Sequence, residues 1–140
     1  MLFRSVETNG TMWVASWASG PFRWDGKEVR PLPAASGVDA SRTPKVYRDT
    51  EGQIWFSTRD AVLRWDTAST NLVDARIGEA GLTLHRDPQG TWWTGGRGLH
   101  RRAAGSTVDY RKADGLANDT VREIVPDGKG ALWEIGRAHV

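Results

Sequence analysis

The chain has 140 residues, no cysteine and a formal charge of +2. That length suits one ordinary domain or part of a larger one, the missing cysteines exclude a disulfide framework and thiol chemistry, and the interleaved acids and bases leave no basic block for a nucleic acid. Eight tryptophans and 16 glycines in a chain that is 39 % hydrophobic suit many short strands and tight turns better than a helical bundle.

No stretch approaches the roughly 20 apolar residues of a membrane span, so no direct membrane insertion is expected. Met1-Leu2-Phe3-Arg4-Ser5 does not open a signal peptide, because no apolar run follows it.

Taken in order, the chain uses one short stretch four times. Glu7-Thr8-Asn9-Gly10-Thr11-Met12-Trp13 is the weakest copy, and Asp49-Thr50-Glu51-Gly52-Gln53-Ile54-Trp55 the next. Asp87-Pro88-Gln89-Gly90-Thr91-Trp92-Trp93 and Asp127-Gly128-Lys129-Gly130-Ala131-Leu132-Trp133 follow. Each is an acid, two loose positions, a glycine, any residue, an apolar residue and a tryptophan. The tryptophans are spaced by 42, 38 and 40 residues (13 to 55, 55 to 93, 93 to 133), and self-similarity at that period marks a repeat architecture. The acid and glycine suit a turn. An aspartate accepts a bond from a backbone N–H two residues on, and glycine tolerates positive φ.

The first repeat predicts strands over 11–15, 21–24 and 27–30, with a loop around 17–20 between the first two. Residues 31–41, rich in Pro, Ala, Ser and Gly, read as a loop between repeats. The second predicts strands over 44–48, 53–57, 61–65 and 71–74. The third is the cleanest, with strands over 82–86, 91–94, 99–102 and 106–111 and a turn over Gly95-Gly96-Arg97-Gly98. The last begins with a strand over 120–125 and stops in its second. Four short antiparallel strands every 40 residues predict an all-β fold, a β-propeller fragment of about three and a half four-stranded blades. The blades run approximately over 2–31, 43–75, 82–111 and 120–133, the last incomplete. A lone blade leaves its large apolar residues uncovered. Trp13, Trp55, Trp93 and Trp133 therefore read as filling between blades, each burial being worth about 2–3 kcal/mol. Gly10, Asp49, Gly52, Asp87, Gly90, Asp127 and Gly130 are the remaining repeat anchors.

These residues resemble the propeller repeats of two-component regulators. Residues 114–133 are similar to a full copy of that pattern, and Gly98-Leu99-His100-Arg101 is similar to the segment that follows the tryptophan. Ala61-Val62-Leu63-Arg64 and Gly20-Pro21-Phe22-Arg23 are looser versions. The resemblance implies a periplasmic or extracytoplasmic sensor region of a membrane-bound signalling protein, with a kinase or related output outside this segment. It also implies that some members respond to carbohydrate, and that the remaining blades of the parent chain are partners. Glu7 in place of Asp and the Trp17-Ala18-Ser19 insertion depart from the pattern. So does the ending, where residues 134–140 match the translation of a common sequencing adapter and read as a non-native tail.

In such a repeat the Asp-x-x-Gly turns lie on one face of the propeller. The loops between second and third strands, and the crossovers between blades, lie on the other. Candidate binding loops are 16–20, 58–60, 95–97, 76–81 and 113–119. Trp17, Arg59 and Arg97 take nearly equivalent positions there, and an aromatic face with cationic forks suits sugars or anionic groups. The competing reading leaves Arg59 and Arg97 solvated or paired with neighbouring acids such as Asp60. His85 and His100 lack a ligand spacing, and no metal or cofactor is expected. A propeller enzyme resembling streptogramin lyases, and a pure interaction scaffold, are the alternatives to a non-enzymatic sensor fragment.

Overall fold

A computed structural model describes residues 2–136, and every described strand belongs to an antiparallel sheet. The chain divides into two compact units, Met1–Glu79 and Ala80–Val140. The first unit holds sheet 1, of β1 (Leu2–Val6), β2 (Met12–Ser16), β3 (Phe22–Trp24) and β4 (Val29–Pro31). It also holds sheet 2, of β5 (Lys45–Arg48), β6 (Ile54–Ser57), β7 (Val62–Asp66) and β8 (Asn71–Asp74). The second unit holds sheet 3, of β9 (Thr83–Arg86), β10 (Trp92–Gly96), β11 (Gly98–Ala103) and β12 (Ser106–Tyr110). After a 3-10 turn at Lys112–Asp114 comes sheet 4, of β13 (Val121–Pro126) and β14 (Leu132–Gly136). Each sheet runs in chain order, so these are propeller-type blades, three of four strands and one of two. Glu134 to Gly136 form the end of β14; residues 137–140, the rest of the expected tail, lie outside the described residues.

The repeated stretch closes each first hairpin by one set of bonds. Asp49 accepts at Oδ1 from the backbone N–H of Glu51 and Gln53, both at 2.9 Å, and at Oδ2 from the Trp55 indole at 2.9 Å. Asp87 does the same for Gln89, Thr91 and the Trp93 indole, at 3.0, 2.9 and 3.1 Å. In the first turn the work is divided: Asn9 accepts from the Thr11 N–H, and the longer Glu7 reaches the Trp13 indole at 3.0 Å. Gly10, Gly52, Gly90 and Gly130 all stand at φ between +83 and +94, where a side chain is strained. In the fourth turn Asp127 holds the N–H groups of Lys129 and Ala131. No corresponding bond joins it to Trp133 among the described residues.

The segments that end in Arg23, Arg64 and Arg101 have a matching part. Arg23, Arg64 and Arg101 are cross-strand partners of Trp13, Trp55 and Trp93. The Arg23 and Arg101 guanidinium groups lie 5.5 and 5.9 Å from their ring centroids, within cation–π range.

Within the first unit, the tryptophan face of sheet 1 packs on the opposite face of sheet 2. Trp13, Ala15 and Leu32 meet Val46, Ile54, Phe56, Leu63, Trp65 and Leu72 in one buried cluster. Trp13 does fill the space between two blades, as the repeat spacing predicts. Trp133 does not: it is 67 % exposed, on a face that no described residue covers. The connection after β4 is more than a loop. Ala34 bridges Leu72 in parallel, with the Ala35 N–H donating to the Leu72 carbonyl and the Leu72 N–H to the Pro33 carbonyl. It thereby covers the outer edge of sheet 2, which would otherwise offer unpaired backbone groups.

Gly95 and Gly96 belong to β10, correcting the turn predicted over 95–98. A Cβ on Gly95 would come within 2.7 Å of Val121 Cγ1 and 2.8 Å of Thr83 Cγ2. The missing side chain is what lets β13 lie against sheet 3.

Candidate functional site

The loop face of sheet 2 carries an open groove of about 1050 Å³. Three separate segments line it, and each brings one aspartate and one arginine: Asp39 and Arg42 from the crossover, Asp60 and Arg59 from the β6–β7 turn, Asp74 and Arg76 from the end of β8. The turn holding Arg59 is fixed from below. Thr58 N–H donates to the Ala61 carbonyl at 2.8 Å, and Ala61 N–H donates to the Thr58 hydroxyl at 2.9 Å. The Arg59 side chain is 92 % exposed, with its Nε 3.8 Å from Asp60 Oδ1. Such an exposed pair is weak, so the guanidinium can turn toward a ligand.

Asp39 and Asp74 each hold a backbone N–H two residues on, at 2.9 and 2.7 Å. The Ser41 hydroxyl and backbone N–H hold the Asp39 carboxyl below its ordinary value, so it is an ionised acceptor. The groove thus offers planar donor forks and carboxylate acceptors side by side. A polyol, whose hydroxyls both donate and accept, matches that mixture.

Of the three residues given equivalent loop positions, Arg59 lines this groove. Trp17 sits on the tight turn after β2, where Gly20 N–H donates to the Ser16 carbonyl; it is 49 % exposed and outside the groove lining. Arg97 lies in the second unit, exposed between β10 and β11. Its carbonyl accepts from His100 Nε2 at 3.0 Å and from the Arg111 guanidinium at 2.5 Å.

His100 is engaged at both ring nitrogens. Its Nδ1 lies 2.5 Å from Asp109 Oδ1 while its Nε2 faces the Arg97 carbonyl. The Asp109 carboxylate and the Arg97 carbonyl hold the ring from two sides. The bond to His100 holds the Asp109 carboxyl below its ordinary value. Only the cross-strand register places Asp109 opposite His100, and spacing alone carried no such signal.

A second cavity, of about 480 Å³, opens beside Trp93 and is lined mainly by apolar side chains with His85 at its rim. Burial holds the His85 imidazole below its ordinary value, against the opposing pull of the Asp87 carboxylate. Among the described residues no three His, Asp or Glu side chains converge into a cation cluster. No helix of the described residues is long and apolar enough to cross a membrane.

No protein-family model and no curated protein matches this sequence. Solved structures do. The extracellular domain of BT4673 from B. thetaiotaomicron, described as a one-component system in one structure and a hybrid two-component system in another, aligns over 96 % of this chain. The TM-scores are 0.74 and 0.72, at 17 % and 19 % identity. The extracellular domain of BT3049 from the same organism, described as a hybrid two-component system, aligns over 94 % with a TM-score of 0.74 and 17 % identity. The chain spans 19–22 % of the length of those structures. Likeness at this identity shows a shared fold.

Proposed function

We propose that this chain is part of the extracytoplasmic sensor region of a two-component-type signalling protein, and that it binds a carbohydrate or similar small polyol on the loop face of sheet 2. The observation that carries the ligand reading is the groove built from three Asp–Arg segments. The sensor reading is supported by the fold shared with extracellular domains of described signalling systems. It is supported also by the repeat anchors, whose acids are engaged in turn and indole bonds and leave recognition to the opposite loops. The reading is non-enzymatic for these residues, with catalysis assigned to an output segment of the parent protein and further repeats as intramolecular partners.

The test is a binding screen of the whole chain against neutral and uronate-bearing oligosaccharides, by calorimetry and thermal shift. Arg59→Ala is expected to weaken the best binder about tenfold, the worth of one charge-assisted bond, without lowering the melting temperature of the free chain. Equal affinity in wild type and Arg59→Ala would remove the groove from the account.

A further inference from the structure

Of the charged residues that line the groove on sheet 2, Arg76 alone stands on strained backbone. Among the described residues glycine takes nearly every left-handed position, and the two exceptions are Thr70 at φ 54 and Arg76 at φ 56. An L side chain is costly there, because its Cβ crowds the following carbonyl. Thr70 lies in the β7–β8 hairpin, where its hydroxyl donates to the Ser69 carbonyl at 2.7 Å. The conformation of Arg76 is set by the residues before it. Asp74 pairs with Leu63 across β7, the Ala75 N–H donates to the Val62 carbonyl at 2.9 Å, and the Arg76 N–H donates to Asp74 Oδ1 at 2.7 Å. Those bonds use the backbone and would form as well around glycine or asparagine at position 76. The arginine side chain adds nothing to them. It is exposed at the groove, and its guanidinium enters no hydrogen bond or ion pair among the described residues. Strain kept for a side chain that has no partner in the fold points to a role outside the fold.

The charges of the groove specify that role. Its carboxylates are already drawn on by their own loops. Asp39 holds the Ser41 N–H, Asp60 lies beside Arg59, and Asp74 holds the Arg76 N–H. What Arg76 leaves unmet is donors, since a guanidinium carries five N–H groups and no acceptor. Its planar fork fits the two oxygens of a carboxylate. We propose that Arg76 is the specificity-determining residue of this groove, and that its fork holds the carboxylate of an acidic saccharide, a uronate chain. This inference rests on the groove being the ligand site and deepens that reading by fixing the charge of the ligand.

The test is calorimetry of the whole chain with tetragalacturonate and with its carboxyl-reduced, neutral counterpart. The wild-type chain is expected to bind the acid at least about tenfold more tightly, the worth of one charge-assisted contact. Arg76→Asn, whose side chain tolerates left-handed backbone, is expected to lose that preference while the melting temperature of the free chain rises by about 1–3 °C. Arg76→Lys keeps the charge without the fork and should keep only part of the preference. Equal affinity of the wild type for the two probes, or binding of neither, would overturn the inference. So would an acid preference that survives Arg76→Asn, or a lower melting temperature in that variant, which would give the arginine a part in the fold. The neutral probe separates this inference from the groove itself: if it binds, Arg59→Ala weakens it and the acid has no advantage, the groove stands and the part given to Arg76 falls.

Discussion

Asp49 is buried and its carboxylate accepts from two backbone N–H groups and one indole. Asp49→Ala strands all three donors, and a loss of about 2–3 kcal/mol is expected in urea denaturation. Asp49→Asn keeps one oxygen for the backbone but can turn an N–H₂ toward the Trp55 indole N–H, so it should be destabilising too. Adding Trp55→Phe should recover part of that loss, and strictly additive single and double variants would contradict the shared bond. His85 gives a pH signature. Burial holds its folded value below the ordinary 6.5, so below that pH the unfolded chain binds more protons. Stability is therefore full above about pH 6.5 and declines as the pH falls toward the folded value. His85→Gln should flatten the melting temperature between pH 7.5 and 5, and an unchanged slope would contradict the shift. At this scale the sequence was partly legible. An aspartate two residues before a donor announces its turn bond, but the indole bond to Oδ2 depends on where the second strand places the ring.

Strands were the most legible elements, because alternation and turn residues fix them locally. Predicted and observed strands agree within about two residues at most ends. Gly95 and Gly96 misled because paired glycines read as a turn, whereas here they make room for a neighbouring strand. Gly95→Ala is expected to cost about 1–3 kcal/mol through overpacking against Val121 and Thr83. Val121→Ala should relieve much of it, since the nearest atom to the new methyl is Val121 Cγ1. Denaturation of the two single variants and the double decides the point, and the double being as unstable as the sum would contradict it. The pairing of Ala34 with Leu72 had no local signal, since the Pro- and Ser-rich stretch around it reads as loop and its partner lies far along the chain.

Across the whole chain, the period of about 40 residues made the repeat architecture legible, because four turns in register cannot come from one local preference. The groove was only half legible. Arg59 stood out by its place in the second loop, but Asp39, Arg42, Asp74 and Arg76 come from segments whose convergence depends on the crossover lying along β8. Trp17 shares a repeat position with Arg59 and stays outside its groove lining. Equivalence in a repeat gives the same place on different blades, and a site is made by the loops that meet. The measurement that tests the central claim most directly is amide hydrogen exchange of the chain, free and saturated with the best oligosaccharide from the binding screen. Slowed exchange confined to residues 36–42, 58–61 and 74–78 is the predicted result. Slowing at the Asp-x-x-Gly turns instead, with those three segments unchanged, would contradict it.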